Sequence, residues 1–147
     1  MKIENIQEVI KAAFEDKRIV VVRGGNMYHR DMITLGLKDS NIEGIDNIVF
    51  FTDANISKAA LLQVMSEYKN TLFVIDHIGS SIKTVKDRSG FETKELTGIG
   101  YSYFNMVNRF KDNNNKVLSL PTNENTFIKP YLESMIEIYS MKVITIK

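Results

Sequence analysis

Residues 18–37 read RIVVVRGGNMYHRDMITLGL and carry the clearest signal of the fold class. It opens on a run of β-branched residues that does not alternate with polar ones, which is typical of a strand covered on both faces in a parallel sheet. Gly24 and Gly25 follow the run, and a polar stretch then leads into a second apolar segment. Because glycine adopts a positive φ without strain, the pair predicts a tight turn from the strand into a helix.

The same pattern recurs along the chain. Four further apolar runs resemble the first: NIVFFTD, TLFVIDHIG, KVLSLPT and KVITIK. Segments with apolar residues three and four positions apart separate or precede them, as in helices with one buried face: Ile3, Ile6, Val9, Ile10, Ala13 and Phe14; Ala60, Leu61, Val64, Met65 and Tyr68; Ile99, Tyr103, Met106, Val107 and Phe110. Asn55 or Ser57 is available to cap the second of these helices, and Pro130 fits only the first turn of a helix near the end of the chain. Alternating strands and helices predict an α/β fold: a three-layer α/β/α domain around a five-stranded, mainly parallel sheet.

Length and composition limit the function classes. We expect the 147 residues to form one domain, 1–147, without a lid or an added oligomerisation domain. A net charge of +1 speaks against a dedicated DNA-binding protein, and the absence of cysteine excludes disulfides, cysteine-based zinc sites and thiol catalysis. The N-terminal stretch has no signal-peptide pattern and no run is apolar enough to span a membrane, so we expect a cytoplasmic protein without membrane contact.

The polar residues that follow the strands are the candidate site. Loops and helix N-termini converge at the carboxyl ends of parallel strands, where ligands bind in open sheets. The residues at these positions are Gly24 and Gly25, Asp53 and Asn55, Asp76 and His77, and Thr122 and Asn123. Two carboxylates and two glycines at one edge predict a site for a phosphate and a divalent cation.

The order of elements resembles the P-loop NTPases of the RecA and AAA+ type. Their first strand leads into G-x-x-x-x-G-K-[ST]. Starting from Gly24, this spacing puts His29 on the second glycine, Arg30 on the lysine and Asp31 on the Ser/Thr. The resemblance also implies the strand order 5-1-4-3-2.

Three later strands extend the resemblance. LFVIDHIGSS resembles the Walker B strand, which implies that Asp76 is the magnesium-linked aspartate. VFFTDAN is similar to the strand that carries the catalytic glutamate, but Asn55 stands nearest to that position and cannot act as a base. VLSLPTN is similar to the sensor strand, which implies that Asn123 or Thr122 lies beside the phosphate.

The departures from the motif suggest a first hypothesis. A Cβ and a ring at His29 obstruct the path of the phosphate loop, arginine does not replace the lysine, and Asp31 puts a negative charge where Mg²⁺ should be held. Together these changes argue against ATP hydrolysis. We therefore expect a catalytically degenerate P-loop-like domain that binds a protein or regulates one, in DNA replication, recombination, or phage-related defence and counter-defence.

Two alternatives stay open. In the first, the chain is a Mg²⁺-dependent enzyme or binder of nucleotides such as ATP or of phosphorylated metabolites: Arg30 clamps a phosphate, Asp53 and Asp76 hold the metal, and His29 serves as acid or base. In the second, the domain is flavodoxin-like or receiver-like. Purely structural roles are also open for these residues: a turn at the glycines, helix caps at Asp53 and Asp76, and exposed or structural histidines at positions 29 and 77.

The stretch from Ser80 to Gly98 is predicted to be a long irregular loop. Loops in this region of RecA-type proteins touch DNA, so the resemblance implies nucleic-acid contact through the part from Ile82 to Leu96. That part carries Lys83, Lys86, Arg88 and Lys94 against Asp87, Glu92 and Glu95. Its net charge of only +1 favours a solvated, mobile loop.

Overall fold

The computed structural model describes residues 3–16, 18–24, 27–38, 42–52, 56–77, 82–96, 102–121 and 128–146. The helices and strands follow in chain order: α1 (Ile3–Asp16), β1 (Ile19–Gly24), α2 (Met27–Lys38), β2 (Asn47–Thr52), α3 (Lys58–Glu67), β3 (Thr71–His77), β4 (Ile82–Lys86), β5 (Glu92–Leu96), α4 (Ser102–Arg109), a 3₁₀ turn (Lys111–Asn113), β6 (Lys116–Pro121), α5 (Ile128–Ile138) and β7 (Lys142–Ile146).

The described strands include a five-stranded parallel sheet in the order β2-β3-β6-β1-β7. Numbered one to five along the chain, these strands lie in the order 2-3-4-1-5, which read from the other edge is the predicted 5-1-4-3-2. The α/β fold and its strand order are therefore confirmed. Flavodoxin-like and receiver-like domains have the order 2-1-3-4-5, so that alternative is wrong.

Helices cover both faces of the sheet. On one face, α1 and α2 pack against alternate residues of the strands, with Ile10, Phe14, Ile33 and Leu37 buried. The other face holds α3, α4 and α5. Along β1, Val20 and Val22 point to the first layer while Ile19 and Val21 point to the second, which explains why the run does not alternate with polar residues.

Two predicted helices form as their apolar spacing indicates. α1 buries Ile10, Ala13 and Phe14 of its predicted stripe. α3 buries Leu61 and Met65, and it begins where Ser57 Oγ accepts a hydrogen bond of 3.1 Å from the backbone N–H of Ala60. Ser57 is thus the N-cap of α3.

A buried asparagine, Asn115, holds the amino ends of two strands, which we call the amino edge of the sheet. Asn115 Oδ1 accepts a hydrogen bond of 3.1 Å from the Thr71 N–H, at the start of β3. Asn115 Nδ2 donates to the carbonyl groups of Met65 and Tyr68 at the end of α3, at 3.3 and 3.0 Å. One side chain therefore satisfies three backbone groups and ties the end of α3 to the start of two strands.

The prediction of an irregular loop between Ser80 and Gly98 is wrong for residues 82–96. β4 and β5 form an antiparallel hairpin that is a sheet of its own. Two strands of alternating Thr, Val and charged residues around a turn that contains Gly90 are a hairpin signal. None of the described helices is long and apolar enough to cross a membrane.

Candidate functional site

The carboxyl ends of β1, β3 and β6 lie side by side, because all three strands are parallel and adjacent. In register, Asp76 of β3 is opposite Leu120 of β6. Asp76 is the penultimate residue of β3, so it lies inside the strand instead of after it. The predicted site residues Gly25, Asp53, Asn55, Thr122 and Asn123 lie outside the described residues.

Arg30 and Asp76 form the centre of the described edge. Arg30 Nη1 donates a hydrogen bond of 3.3 Å to Asp76 Oδ1, and the two side chains are an ion pair. The same nitrogen donates to the backbone carbonyl of Leu120. The guanidinium of one residue thus joins helix α2 to two neighbouring strands.

This ion pair is largely shielded from water. The Arg30 side chain is 6% exposed and the Asp76 side chain 19% exposed. A buried guanidinium is tolerated only where acceptors surround it, and a carboxylate together with a strand-end carbonyl supplies them. Asp76 thus accepts a hydrogen bond from the Arg30 side chain, and a further role for this carboxylate as a helix cap or as an acceptor from loop amides stays a prediction.

Helix α2 begins sooner after β1 than the phosphate-loop spacing requires. Only residues 25 and 26 separate Gly24 from Met27, the first residue of α2. His29, Arg30 and Asp31 therefore belong to the first turns of the helix. In a P-loop the residues between the two glycines wrap around the phosphates, so two residues leave much less backbone for such a cradle.

His29 and Asp31, the other predicted site residues of α2, lie in different surroundings from Arg30. The His29 ring is half-buried and lies edge-on against Tyr28, with 5.9 Å between ring centroids. Asp31 is exposed. Among the described residues, no group of three or more His, Asp or Glu side chains could hold a metal ion.

Gly24 has a structural reason to be glycine. Its φ is +77°, in the left-handed region that side chains rarely adopt. A Cβ on this residue would also collide with the backbone carbonyl oxygen of Ile146, its partner in β7. The predicted turn with positive φ is thus present, and close packing between two strands accounts for this glycine without a ligand.

Reasoning from the sequence did not find the polar groups that the sheet brings together. The pairing of Arg30 with Asp76 joins residues 46 positions apart. The Tyr103 hydroxyl and Ser119 Oγ are also paired, at 2.7 Å, in the opposite helix layer, where both residues are fully buried. Such pairs follow from the strand order, which the sequence suggested only through the resemblance.

A separate cleft of about 440 Å³ opens at the amino edge of the sheet, far from Asp76 along the strands. Phe14 and Ile42 form its apolar lining, and Lys11, Lys116, Glu15 and Glu43 contribute two positive and two negative charges. Lys116 Nζ donates a hydrogen bond of 2.9 Å to the Phe14 carbonyl, in the last turn of α1. Burial lowers the pKa of Lys116, and the nearby charge of Arg18 lowers it further. A lysine that caps a helix end explains this arrangement without a ligand.

Comparisons with known proteins add little to this description. No model of a known protein family matches the sequence. No curated protein matches it either. Among solved structures, the chain is similar to a variant of RuvB from Thermotoga maritima, with a TM-score of 0.48 and 8% sequence identity over 98% of this chain. The match covers 45% of the RuvB chain, so this chain spans less than half of that protein's length. The strand order and register of the chain itself define its fold.

Proposed function

We propose that this chain is a P-loop-like domain that does not hydrolyse ATP and acts as a protein-binding or regulatory module. The observation that carries the proposal is the ion pair between Arg30 and Asp76 at the carboxyl edge of the sheet. In an open parallel sheet this edge is where a ligand would lie. Here a side chain of the protein itself supplies the positive charge next to the carboxylate.

The ion pair disfavours a bound magnesium ion. Mg²⁺ binds through carboxylate and phosphate oxygens in near-ideal octahedral geometry. Asp76 Oδ1 already accepts a hydrogen bond from Arg30, and the guanidinium repels a second cation placed beside it. For the metal to bind, Arg30 would have to leave both Asp76 and the Leu120 carbonyl.

The start of α2 supports the same proposal. A lysine in the P-loop position reaches the phosphates from the helix, with a compact charge on a flexible stem. Arg30 starts from the first turns of α2 but donates across to β3 and β6. Its charge is thus used within the fold. We therefore assign the function to the outer surface of the domain. A net charge of +1 gives no strong attraction for a nucleic acid, which favours a protein as the partner.

The biological setting is proposed from the resemblance alone. DNA replication, recombination, and phage-related defence or counter-defence are the processes in which we expect such a module. Nucleic-acid contact through residues 82–96 stays a prediction. The charges of this hairpin weaken it, because the register puts Lys83 opposite Glu95 and Lys86 opposite Glu92.

A second candidate function uses the same edge. Arg30 lies near the N-terminus of α2 beside a carboxylate, where a phosphate could receive a bidentate bond from the guanidinium. In this hypothesis a phosphorylated ligand draws Arg30 away from Asp76. We expect such a ligand to raise the midpoint of thermal unfolding of the wild-type protein. No shift with a panel of nucleotides and sugar phosphates, with and without Mg²⁺, would remove this candidate.

Phosphate release from ATP tests the proposal directly. We expect the wild-type protein and the Asp76→Ala variant to release phosphate at the same rate as buffer. Asp112→Ala, a change at an exposed carboxylate away from the site, is the matched control. Turnover by the wild-type protein that is lost in Asp76→Ala but kept in Asp112→Ala would refute the proposal.

A further inference from the structure

The β4–β5 hairpin has an exposed tip whose turn is held by hydrogen bonds. We define the hairpin tip as Asp87, Arg88, Ser89, Gly90 and Phe91. Every side chain from position 86 to position 93 is exposed, so the tip does not pack on the rest of the described chain. A two-stranded hairpin in water is marginally stable by itself. This one therefore depends on local bonds.

Those local bonds centre on one carboxylate. Asp87 Oδ1 accepts hydrogen bonds from the Ser89 N–H at 2.9 Å, the Ser89 hydroxyl at 2.7 Å and the Phe91 N–H at 2.9 Å. Backbone bonds add to them: the Asp87 N–H donates to the Phe91 carbonyl at 3.0 Å, and the Gly90 N–H donates to the Asp87 carbonyl at 3.1 Å. Gly90, at a φ of +84°, permits the turn. The tip is thus held in one conformation before any partner arrives.

Two side chains at this tip are not used by the fold. The Phe91 side chain is 66% exposed, among the most exposed of the large hydrophobic residues in the described chain. Arg88 is exposed and makes no ion pair within the described residues. Single exposed apolar residues are ordinary on protein surfaces. The tip differs from a single exposed apolar residue in two ways. It carries an aromatic ring and a guanidinium, the side chains that dominate binding energy at interfaces. Its turn is also held by hydrogen bonds, and a fixed conformation lowers the entropy cost of binding.

The charges of the hairpin favour a protein partner over a nucleic acid. Lys86 Nζ and Glu92 Oε1 are 3.4 Å apart, and the register puts Lys83 opposite Glu95. Lys86 is therefore paired with an acidic residue and offers little positive charge to a phosphate backbone. At the tip, the exposed Asp87 carboxylate accepts three hydrogen bonds from Ser89 and Phe91 through Oδ1. Arg88 is the one cation among the tip residues.

We propose that the hairpin tip is a docking surface that packs Phe91 against apolar side chains of an extended segment of a protein partner, with a carboxylate of that segment placed to bind Arg88. The proposal deepens the proposed function, because it names the surface through which the module binds. Phe91 supplies the apolar contact area. Arg88 supplies direction, since a guanidinium and a carboxylate bind through two parallel hydrogen bonds.

Selection from a phage-displayed library of random peptides tests the proposal with a defined probe. We expect the wild-type protein to enrich peptides that combine aromatic or aliphatic residues with an acidic one. Their affinity, measured with synthetic peptides, should fall about tenfold or more in Phe91→Ala and also fall in Arg88→Ala. Phe91→Trp should restore binding. Tyr28→Ala, which removes another ring that is 61% exposed but lies on α2, should leave the affinity unchanged.

Four outcomes would overturn the docking proposal. One is the absence of enriched peptides, and another is peptides that bind Phe91→Ala as tightly as the wild type. A third is an oligonucleotide that binds the wild type and is lost in Arg88→Ala, which would make the tip a nucleic-acid surface. A fourth is self-association that is lost in Phe91→Ala, which would make the occupant a second copy. Each leaves the ATP result unchanged, so failure of the docking surface and failure of the proposed function are distinguishable.

Discussion

Single residues at the carboxyl edge have internal partners that explain their identity. Gly24 is held by its positive φ and by the carbonyl of Ile146. Arg30 is held by Asp76 and the carbonyl of Leu120. The sequence predicted the turn at Gly24 because glycine has a local signature. It could not predict the partner of Arg30, because that pairing depends on which strands become neighbours.

Gly24→Ala should destabilise the protein more than an alanine at another glycine of similar backbone conformation. The positive φ and the collision with Ile146 together should cost about 2–4 kcal/mol of unfolding free energy. Gly44 is the matched control, because its φ is +82° and no atom lies within 4 Å of an added Cβ. Gly44→Ala should cost about 1 kcal/mol. Urea unfolding measures both, and equal losses would show that the contact with Ile146 has no energetic role.

Single elements depend on polar side chains at their ends. Ser57 begins α3, Asn115 holds the end of α3, and Asp87 closes the turn between β4 and β5. Ser57 was one of two predicted caps, beside Asn55, since N-caps have a sequence signature. The role of Asn115 was not predicted, because its partners lie more than 40 residues away. The hairpin was not predicted because its many charged residues are typical of a solvated loop. The alternation of these charged residues with Thr and Val along each strand is the signal that indicates a hairpin.

Asn115→Ala should loosen the contact between α3 and the amino edge of the sheet. The change removes the partner of the Thr71 N–H and one partner each of the Met65 and Tyr68 carbonyls. Because Asn115 is 2% exposed, water does not easily replace these bonds, and we expect a loss of about 3 kcal/mol. Asn47→Ala, at an exposed position of β2, should change stability by less than about 0.5 kcal/mol. Similar urea midpoints for the two variants would contradict this role.

The hairpin tip should keep its structure as the pH falls below the ordinary pKa of Asp87. The hydrogen bond from the Ser89 hydroxyl, followed by that from the Phe91 N–H, lowers the pKa of Asp87 from its ordinary value of 3.8. Since the pKa is lower in the folded state, the stabilising effect is complete above the ordinary value and is lost as the pH falls through the lowered one. The amide NMR signals of Ser89 and Phe91 should report a midpoint below 3.8. A midpoint at or above that value would contradict the bonds described.

At the scale of the whole molecule, the sequence predicted the fold class, the helix faces and the parallel sheet. Unbroken β-branched runs and helical spacing carry that information locally. The strand order came from the resemblance and is confirmed by the pairing of β1 with β6 and β7. The candidate site was only partly predictable. Arg30 and Asp76 were both identified as candidate site residues, and their contact with each other was not predicted.

Both faces of the sheet should unfold together. The same strands contribute alternate residues to the two apolar clusters. If the helices on one face separate from the sheet, the strands lose part of the packing that also holds the other cluster together. Far-ultraviolet circular dichroism follows the helices, and in a chain without tryptophan the fluorescence of the six tyrosines, among them the buried Tyr103, follows the loss of side-chain packing. Urea transitions from the two probes should coincide. Two separated transitions would show that the layers are independent units.

We propose that the Arg30–Asp76 ion pair takes the place of a bound nucleotide and metal. Isothermal titration calorimetry of ATP with and without Mg²⁺, on the wild type and Asp76→Ala, is the decisive experiment. We expect no Mg²⁺-dependent heat of binding for either protein. Mg²⁺-dependent binding to the wild type at about micromolar affinity, lost in Asp76→Ala, would instead establish a working nucleotide site at the carboxyl ends of these strands and refute the proposal.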